Sequence, residues 1–409
     1  MKFHIKESKV KFKSKYIYYI IGIIILLSLI WTLFYQSQKI QQFKQDQIQK
    51  NNLISKESVE EPVLSGLKPQ IINVKGTKQT LYLPDKFKID ILTEGLESPQ
   101  FVKSDDKGNL FITDNKANSL WIISAENPKE PQKVDTKLKN LHSLDYHNNA
   151  VYVATDTQII KYTEIQSDAS YKEKKVLIQD LPRPKLKAYH TIVVKDDRIY
   201  IGISANCESC QPKDKRLASI LSYSLEGKDE KLFAKGIKQI TDMQVRNNQI
   251  IITDIGRSNI SNQLPAVEIN AIEEGKDYGW PYCYGDSNTD PKYTEQVDFC
   301  KDKIESPISE LPKGNGVAGF EIISDDFYKD FMNNYAFVYQ GGEKNSIPKG
   351  YKIVIKNINQ DLAAKNFITG WLLENGKAWG SPKGVVFDNK GAMIITDQQN
   401  GLLYKVTKE

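Results

Sequence analysis

One unit recurs along most of this chain: a short apolar strand, a turn of Asp, Asn or Gly, a second apolar strand, then an Asp or small polar residue. It runs from Phe101-Val102 to Asn109-Leu110-Phe111-Ile112-Thr113-Asp114 and from Leu144 to Val151-Tyr152-Val153-Ala154-Thr155-Asp156. It returns from Thr191-Ile192-Val193-Val194 to Arg198-Ile199-Tyr200-Ile201, and from Met243-Gln244-Val245 to Ile250-Ile251-Ile252-Thr253-Asp254. A looser copy covers 317–338, and a last one runs from Gly384-Val385-Val386-Phe387 to Met393-Ile394-Ile395-Thr396-Asp397. A period of roughly 40 to 60 residues indicates a propeller or an array rather than a sandwich. Each small antiparallel unit cannot bury both faces alone, so the units pack radially around a channel. Six copies predict an all-β, six-bladed β-propeller. The strand Phe87-Lys88-Ile89-Asp90-Ile91-Leu92 is expected to close the ring as the outer edge of the last blade, because closure removes exposed edges. The segment 286–314 falls between copies, with no strand assigned to it.

The chain has 409 residues, and a propeller of more than about 300 residues is one domain. Its 21 tyrosines and many Ile and Val favour strands. Net charge is +5, but Lys2, Lys6, Lys9, Lys11, Lys13 and Lys15 supply much of it. Beyond residue 85 lysines alternate with Asp and Glu as on a solvated surface, so no nucleic-acid partner is expected.

Residues 16–35 read YIYYIIGIIILLSLIWTLFY, an uncharged run of the roughly 20 residues a helix needs to cross a bilayer. Tyr16, Tyr18 and Tyr19 at one end and Trp31 and Tyr35 at the other suit the two interfaces. The basic cluster precedes the run, which predicts a single-pass anchor in the cell membrane with a cytoplasmic N-terminus and an extracytoplasmic body. A cleaved signal peptide would need a small-x-small site, which Phe34-Tyr35-Gln36-Ser37-Gln38 does not offer. The expected division is a basic segment 1–15, a transmembrane anchor 16–35, a polar linker 36–80 and a propeller 81–409.

Four cysteines form two pairs, Cys207 with Cys210 and Cys283 with Cys300. In an oxidising compartment both are expected to close as disulfides. A zinc site would need four ligands with a tighter second pair, and a redox CxxC a βαβ context that Ile201-Gly202-Ile203-Ser204 does not give.

Asp277-Tyr278-Gly279-Trp280-Pro281-Tyr282-Cys283-Tyr284-Gly285 resembles the NYGWPYCYG stretch of the glucose/sorbosone dehydrogenases. Thr253-Asp254-Ile255-Gly256-Arg257, Leu264-Pro265-Ala266-Val267-Glu268-Ile269-Asn270, Asn206-Cys207-Glu208-Ser209-Cys210, Pro348-Lys349-Gly350-Tyr351-Lys352-Ile353-Val354 and Trp379-Gly380-Ser381-Pro382-Lys383-Gly384-Val385 are similar to further stretches of that family, in the family order. The resemblance covers essentially the whole body. It implies a six-bladed propeller that oxidises sugars with pyrroloquinoline quinone (PQQ) and calcium.

Such chemistry needs a general base, cations for the carboxylates of PQQ, and hard oxygen ligands for calcium. By resemblance the base position falls on Lys187, with His190 three residues further on. The arginine and asparagine of the family's GLRN fall on Lys238 and Gln239. The family's HGSWNR becomes Gln340-Gly341-Gly342-Glu343-Lys344-Asn345, the arginine of its GRPVGV becomes Ser381, and a histidine falls on Gly314. The backbone carbonyls of Gly256 and Arg257 are the implied calcium ligands, with Glu268 retained and its acidic neighbour replaced by Val267. Lys187, Lys238, Lys344 and Lys383 are the cations available to an anionic cofactor.

Three functions follow as expectations. The first is a membrane-anchored, PQQ-dependent sugar dehydrogenase-like protein acting on an aldose or similar sugar. The second is a non-catalytic propeller binding a glycan or protein partner. The third is a calcium-dependent lactonase or esterase, using Asp114, Asp156, Asp254 and Asp397 as a ring at one mouth of the channel.

Overall fold

Asn148-Asn149 and Asn247-Asn248 all take positive φ, between 47° and 64°, and close two-residue loops between His147 and Ala150 and between Arg246 and Gln249. Asparagine tolerates this left-handed geometry, and two such residues in succession twist the flanking strands correctly for a hairpin. The structure, a computed structural model, describes residues 38, 66–183, 190–257, 260, 266–312, 316–323, 334–341, 350–359 and 363–409. Lys187, Gly314, Lys344 and the anchor 16–35 lie outside these residues; no described helix is long and apolar enough to cross a membrane.

Among the described residues the hairpins assemble into six four-stranded antiparallel sheets. Blade 1 holds Pro99–Ser104, Leu110–Asp114, Ser119–Ile123 and Gln132–Asp135. Blade 2 holds Leu141–His147, Ala150–Thr155, Ile159–Thr163 and Glu173–Ile178. Blade 3 holds Thr191–Lys195, Arg198–Ile203, Ser219–Ser224 and Lys231–Lys235. Blade 4 holds Ile240–Arg246, Gln249–Ile255, Val267–Ile272 and Ser309–Leu311. Blade 5 holds Val317–Ile322, Tyr335–Tyr339, Lys352–Lys356 and Lys365–Ile368. Blade 6 holds Pro382–Phe387, Met393–Asp397 and Leu402–Lys408, completed by Phe87–Thr93 as expected for ring closure. The first strands neighbour one another in an unbroken cycle, so they surround the axis.

The apolar runs explain the radial packing. A middle strand such as Ile250-Ile251-Ile252 is buried on both faces, so it carries no polar alternation. Its two faces feed different cores: Ile250 and Ile252 join blade 3 residues including Tyr200 and Ile220, while Ile251 joins Phe320, Phe337 and Val354 of blade 5. Each of the six seams between blades has one such cluster. Side chains of this size contribute about 1.5–3 kcal/mol each when buried, which makes the seams the main source of stability.

Two elements differ from expectation. Residues 67–80, expected as the end of the linker, form most of a hairpin, Leu67–Val74 with Thr77–Pro84. Its inward residues Ile72, Val74, Leu81 and Leu83 join the core shared by blades 5 and 6. Tyr82 exchanges backbone hydrogen bonds with Thr369, while the Gln70 amide donates to Phe87 O and accepts from Ile89 N–H. The hairpin therefore covers outer edges that a bare ring would expose. The segment 286–314 supplies the short fourth strand of blade 4, after a 3₁₀ turn at Thr294–Gln296 and a helical turn at Val297–Asp302.

Candidate functional site

In each blade the first strand begins, and the second ends, at the same end of the ring. The Thr-Asp pairs lie at that end, where their acids hold loops. Asp114 accepts from the backbone N–H groups of Glu97, Ser98 and Ala117, and Asp397 from those of Ser381, Gln399 and Asn400. Asp254 accepts from Lys238 and Gln239. Three of the four acids are thus enclosed and committed to backbone donors, which corrects the expectation of a free carboxylate ring. Asp156 is more open, but it is engaged by His142 Nε2 at 3.0 Å, Asn140 Nδ2 at 2.6 Å and Arg183 Nε at 3.5 Å.

The residues implied as a calcium turn do come together with Lys238 and Gln239, through Asp254. The Lys238 side chain is 2% exposed, and its ammonium donates to the Gly256 carbonyl at 3.0 Å and meets Glu208 Oε2 at 3.1 Å. Glu208 lies in the loop closed by the Cys207–Cys210 disulfide. That loop is further held by the Trp280 indole N–H, which donates to Glu208 O at 3.2 Å, and by Lys292 Nζ on Ser209 O at 2.6 Å. The Arg257 guanidinium pairs with Asp290, whose side chain is 3% exposed. Glu268 stands directly across the sheet from Asp254 and accepts from Gly285 N–H at 2.6 Å. Burial first, and the Asp254 charge second, push Glu268 up to about 8.

The Asp277–Gly285 loop shapes this corner by docking on blade 3: Tyr278 N–H donates to Lys235 O and Trp280 N–H to Gly236 O, both at 2.9 Å. Gly279 has φ +97°, and a Cβ there would lie 2.7 Å from Cys283 Cβ, so the loop requires glycine. The Cys283–Cys300 disulfide, present as expected, ties the loop to the 286–314 segment.

These residues do not fit a calcium ion at Gly256. Calcium takes six to eight oxygen ligands, whereas here a fixed ammonium already occupies the Gly256 carbonyl. A single positive charge about 4 Å from another costs roughly 4 kcal/mol at an effective dielectric of about 20, and a divalent ion about twice that. The fit to PQQ is no better among the described residues, since the cations at this corner, Lys238 and Arg257, each face a carboxylate. Lys383 belongs to a different place: it is buried on the first strand of blade 6, with its ammonium 3.2 Å from Gln340 Oε1.

His190 is also placed elsewhere, in the seam between blades 2 and 3, and is fully buried. Its Nδ1 faces Thr155 O at 2.9 Å and its Nε2 faces Pro182 O at 3.1 Å. Its backbone N–H donates to His142 Nδ1 at 2.8 Å, which puts the His142 proton on Nε2, toward Asp156. Both ring nitrogens of His190, the residue three positions beyond the implied base position, thus face carbonyls of the chain itself, an enclosed geometry that packs the seam. Burial, then the neighbouring His190, lowers His142 to about 4.

A second polar cluster, of which only Lys383 lies in a motif quoted above, surrounds the axis. Lys103, Asp145, Asp242 with Gln244, Glu321 and Lys383 stand on the first strands of blades 1, 2, 4, 5 and 6. Lys103 Nζ donates to Gln244 Oε1 at 2.7 Å and lies 3.6 Å from Asp145. The acids also satisfy the next blade's edge: Asp145 accepts from Val194 N–H and Asp242 from Phe320 N–H. Burial raises Asp242 to about 6 and Glu321 to about 7, against the pull of Lys103. The readable signal was register, because Lys103, Asp145, Gln244 and Glu321 oppose equivalent positions of their second strands.

No family model matches the chain. An uncharacterized protein of Borreliella burgdorferi is 26% identical, over 81% of this chain and 91% of that one. Among solved structures, the holo form of the PQQ domain of Coprinopsis cinerea pyranose dehydrogenase superposes with a TM-score of 0.68 at 12% identity, over 82% of this chain and all of that one. The calcium structure of a Trichoderma reesei carbohydrate-active enzyme gives 0.67 at 13% identity, over 82% and 99% of the two chains. The PQQ-bound aldose sugar dehydrogenase of Streptomyces coelicolor gives 0.56 at 15% identity, over 80% and 100%. The chain is thus a six-bladed propeller with the fold of the PQQ-dependent sugar dehydrogenases.

Proposed function

We propose that this protein is a membrane-anchored, extracytoplasmic propeller of the sugar-dehydrogenase type that binds a sugar or glycan without calcium-assisted oxidation. The observation that carries this reading is the corner formed by Lys238, Gly256, Glu208, Arg257 and Asp290, where each described cation already has its carboxylate. The sugars named for the fold neighbours supply the ligand class, and the run 16–35 supports the anchor. The test is to screen the full-length chain against a sugar and glycan panel, and separately for dye reduction with PQQ and calcium. Binding without dye reduction is expected; sugar-dependent dye reduction would sink the non-oxidising reading. Cell fractionation tests the anchor, which places the protein with the membranes after a high-salt wash.

A second reading, oxidation of an aldose with PQQ, is favoured by the cofactor-bound fold neighbours. It requires Lys187 and Lys344 to hold the cofactor carboxylates, so their substitution by Met would abolish PQQ binding.

A further inference from the structure

The Gly256 carbonyl takes a cation from within the chain. Lys238 reaches it from the start of blade 4, its stem buried and its backbone N–H held by Asp254. Glu208, on a loop closed by its own disulfide and tied down by Trp280 and Lys292, supplies the counter-charge. A lysine used only to solubilise a surface would not be enclosed or anchored at both ends of its side chain. We infer that the Lys238 ammonium occupies the position of a divalent cation at the Gly256 carbonyl, making this corner of the propeller calcium-independent.

The arrangement has a chemical consequence. An ammonium offers three N–H donors and no vacant coordination position, so it can donate to an acceptor but cannot polarise one as a Lewis acid does. It is also permanently present, whereas a metal is bound only above its dissociation constant. Removing the ammonium leaves the Gly256 carbonyl and Glu208 together, with Asp254 and Glu268 on the neighbouring strands. Hard oxygen donors of this kind are what calcium binds.

The test is a calcium chloride titration of the purified full-length chain, followed by calorimetry and by the thermal midpoint in EGTA against millimolar calcium. The wild type is expected to take up no heat-yielding calcium and to keep its midpoint within about 1 °C. Lys238→Ala is expected to melt lower in EGTA and to regain about 2–4 °C on adding calcium. Saturable calcium binding by the wild type overturns the inference. Silence in both proteins overturns it too, because the lysine would then not stand in a cation position. Lys238→Ser carries the same comparison if the alanine variant does not fold, and calcium binding by the wild type overturns the inference without either. The inference rests on the proposed function only for the meaning of this corner. A chain that ignores both calcium and every sugar would sink the proposed function and leave the wild-type arm of the inference standing.

Discussion

His142 and His190 show how a side chain suited to catalysis is given a packing role. Each ring is enclosed, and the pair stitches blade 2 to blade 3 through His190 N–H and Thr155 O. Replacing His142 by Ala strands the His190 N–H in a buried place, at a cost of about 1–3 kcal/mol read as a lower urea midpoint. The same group sets a pH signature. His142 titrates near 4 in the folded protein against about 6.5 when unfolded, so the unfolded chain binds more protons between these values. Its contribution to stability is therefore present above about 6.5 and lost as pH falls through about 4. His142→Gln should flatten the stability profile across that window, and an unchanged slope would contradict the assignment. The resemblance identified His190, Lys238, Gly256 and Arg257 as residues to examine, but their hydrogen-bond partners depend on loop paths that sequence spacing does not encode. Glu208 was the least legible member, since it reads as filler inside a CxxC until the loop is closed over Lys238.

Strands were legible where burial on both faces forces continuous apolar runs, as in the second strands of blades 1, 2, 4 and 6. They were illegible where an element is short or half exposed. Ser309–Leu311 has only three residues and Lys365–Ile368 four, too few for a periodicity. The Leu67–Val74 and Thr77–Pro84 hairpin hides its inward Ile72, Val74, Leu81 and Leu83 among Lys, Gln, Asn and Thr, so its composition matches a tether. The 283–300 insertion depends on a covalent tie. A loop of this length closed by a disulfide gains about 3 kcal/mol over its reduced form. Cys283→Ala with Cys300→Ala should lower the thermal midpoint and make Asp277–Gly285 accessible to protease, while leaving the strand content seen by far-ultraviolet circular dichroism. Equal protease resistance in the two proteins would show that docking on blade 3 suffices. Chain continuity also matters at the outer edges: Gln70→Ala removes the clasp on Phe87 and Ile89, and should cost about 1–2 kcal/mol in chemical denaturation.

For the molecule as a whole, six apolar seams surround a polar axis, and the axis makes stability depend on pH. Glu321 is raised to about 7, with Lys103, Asp242 and Asp145 as its charged neighbours across the channel. The folded protein thus holds a proton that the unfolded chain releases near 4.5. This contribution is complete below about 4.5 and disappears as pH rises through about 7. Compared with the wild type, Glu321→Gln should lose less stability between pH 5 and 7.5, as measured by urea unfolding at fixed ionic strength. A parallel decline in both proteins would mean that Glu321 is ionised throughout. Ring closure has a consequence of another kind, in the order of synthesis. Phe87–Thr93 leaves the ribosome long before its partner Leu402–Lys408, so blade 6 cannot exist until residue 408 has been made. The seams that blade 6 shares with blades 5 and 1 must wait with it. A chain cut before Leu402–Lys408 therefore loses two interfaces rather than one strand. Closure of the ring thus acts as a late checkpoint on folding, because blade 6 joins two strands from far apart in the chain.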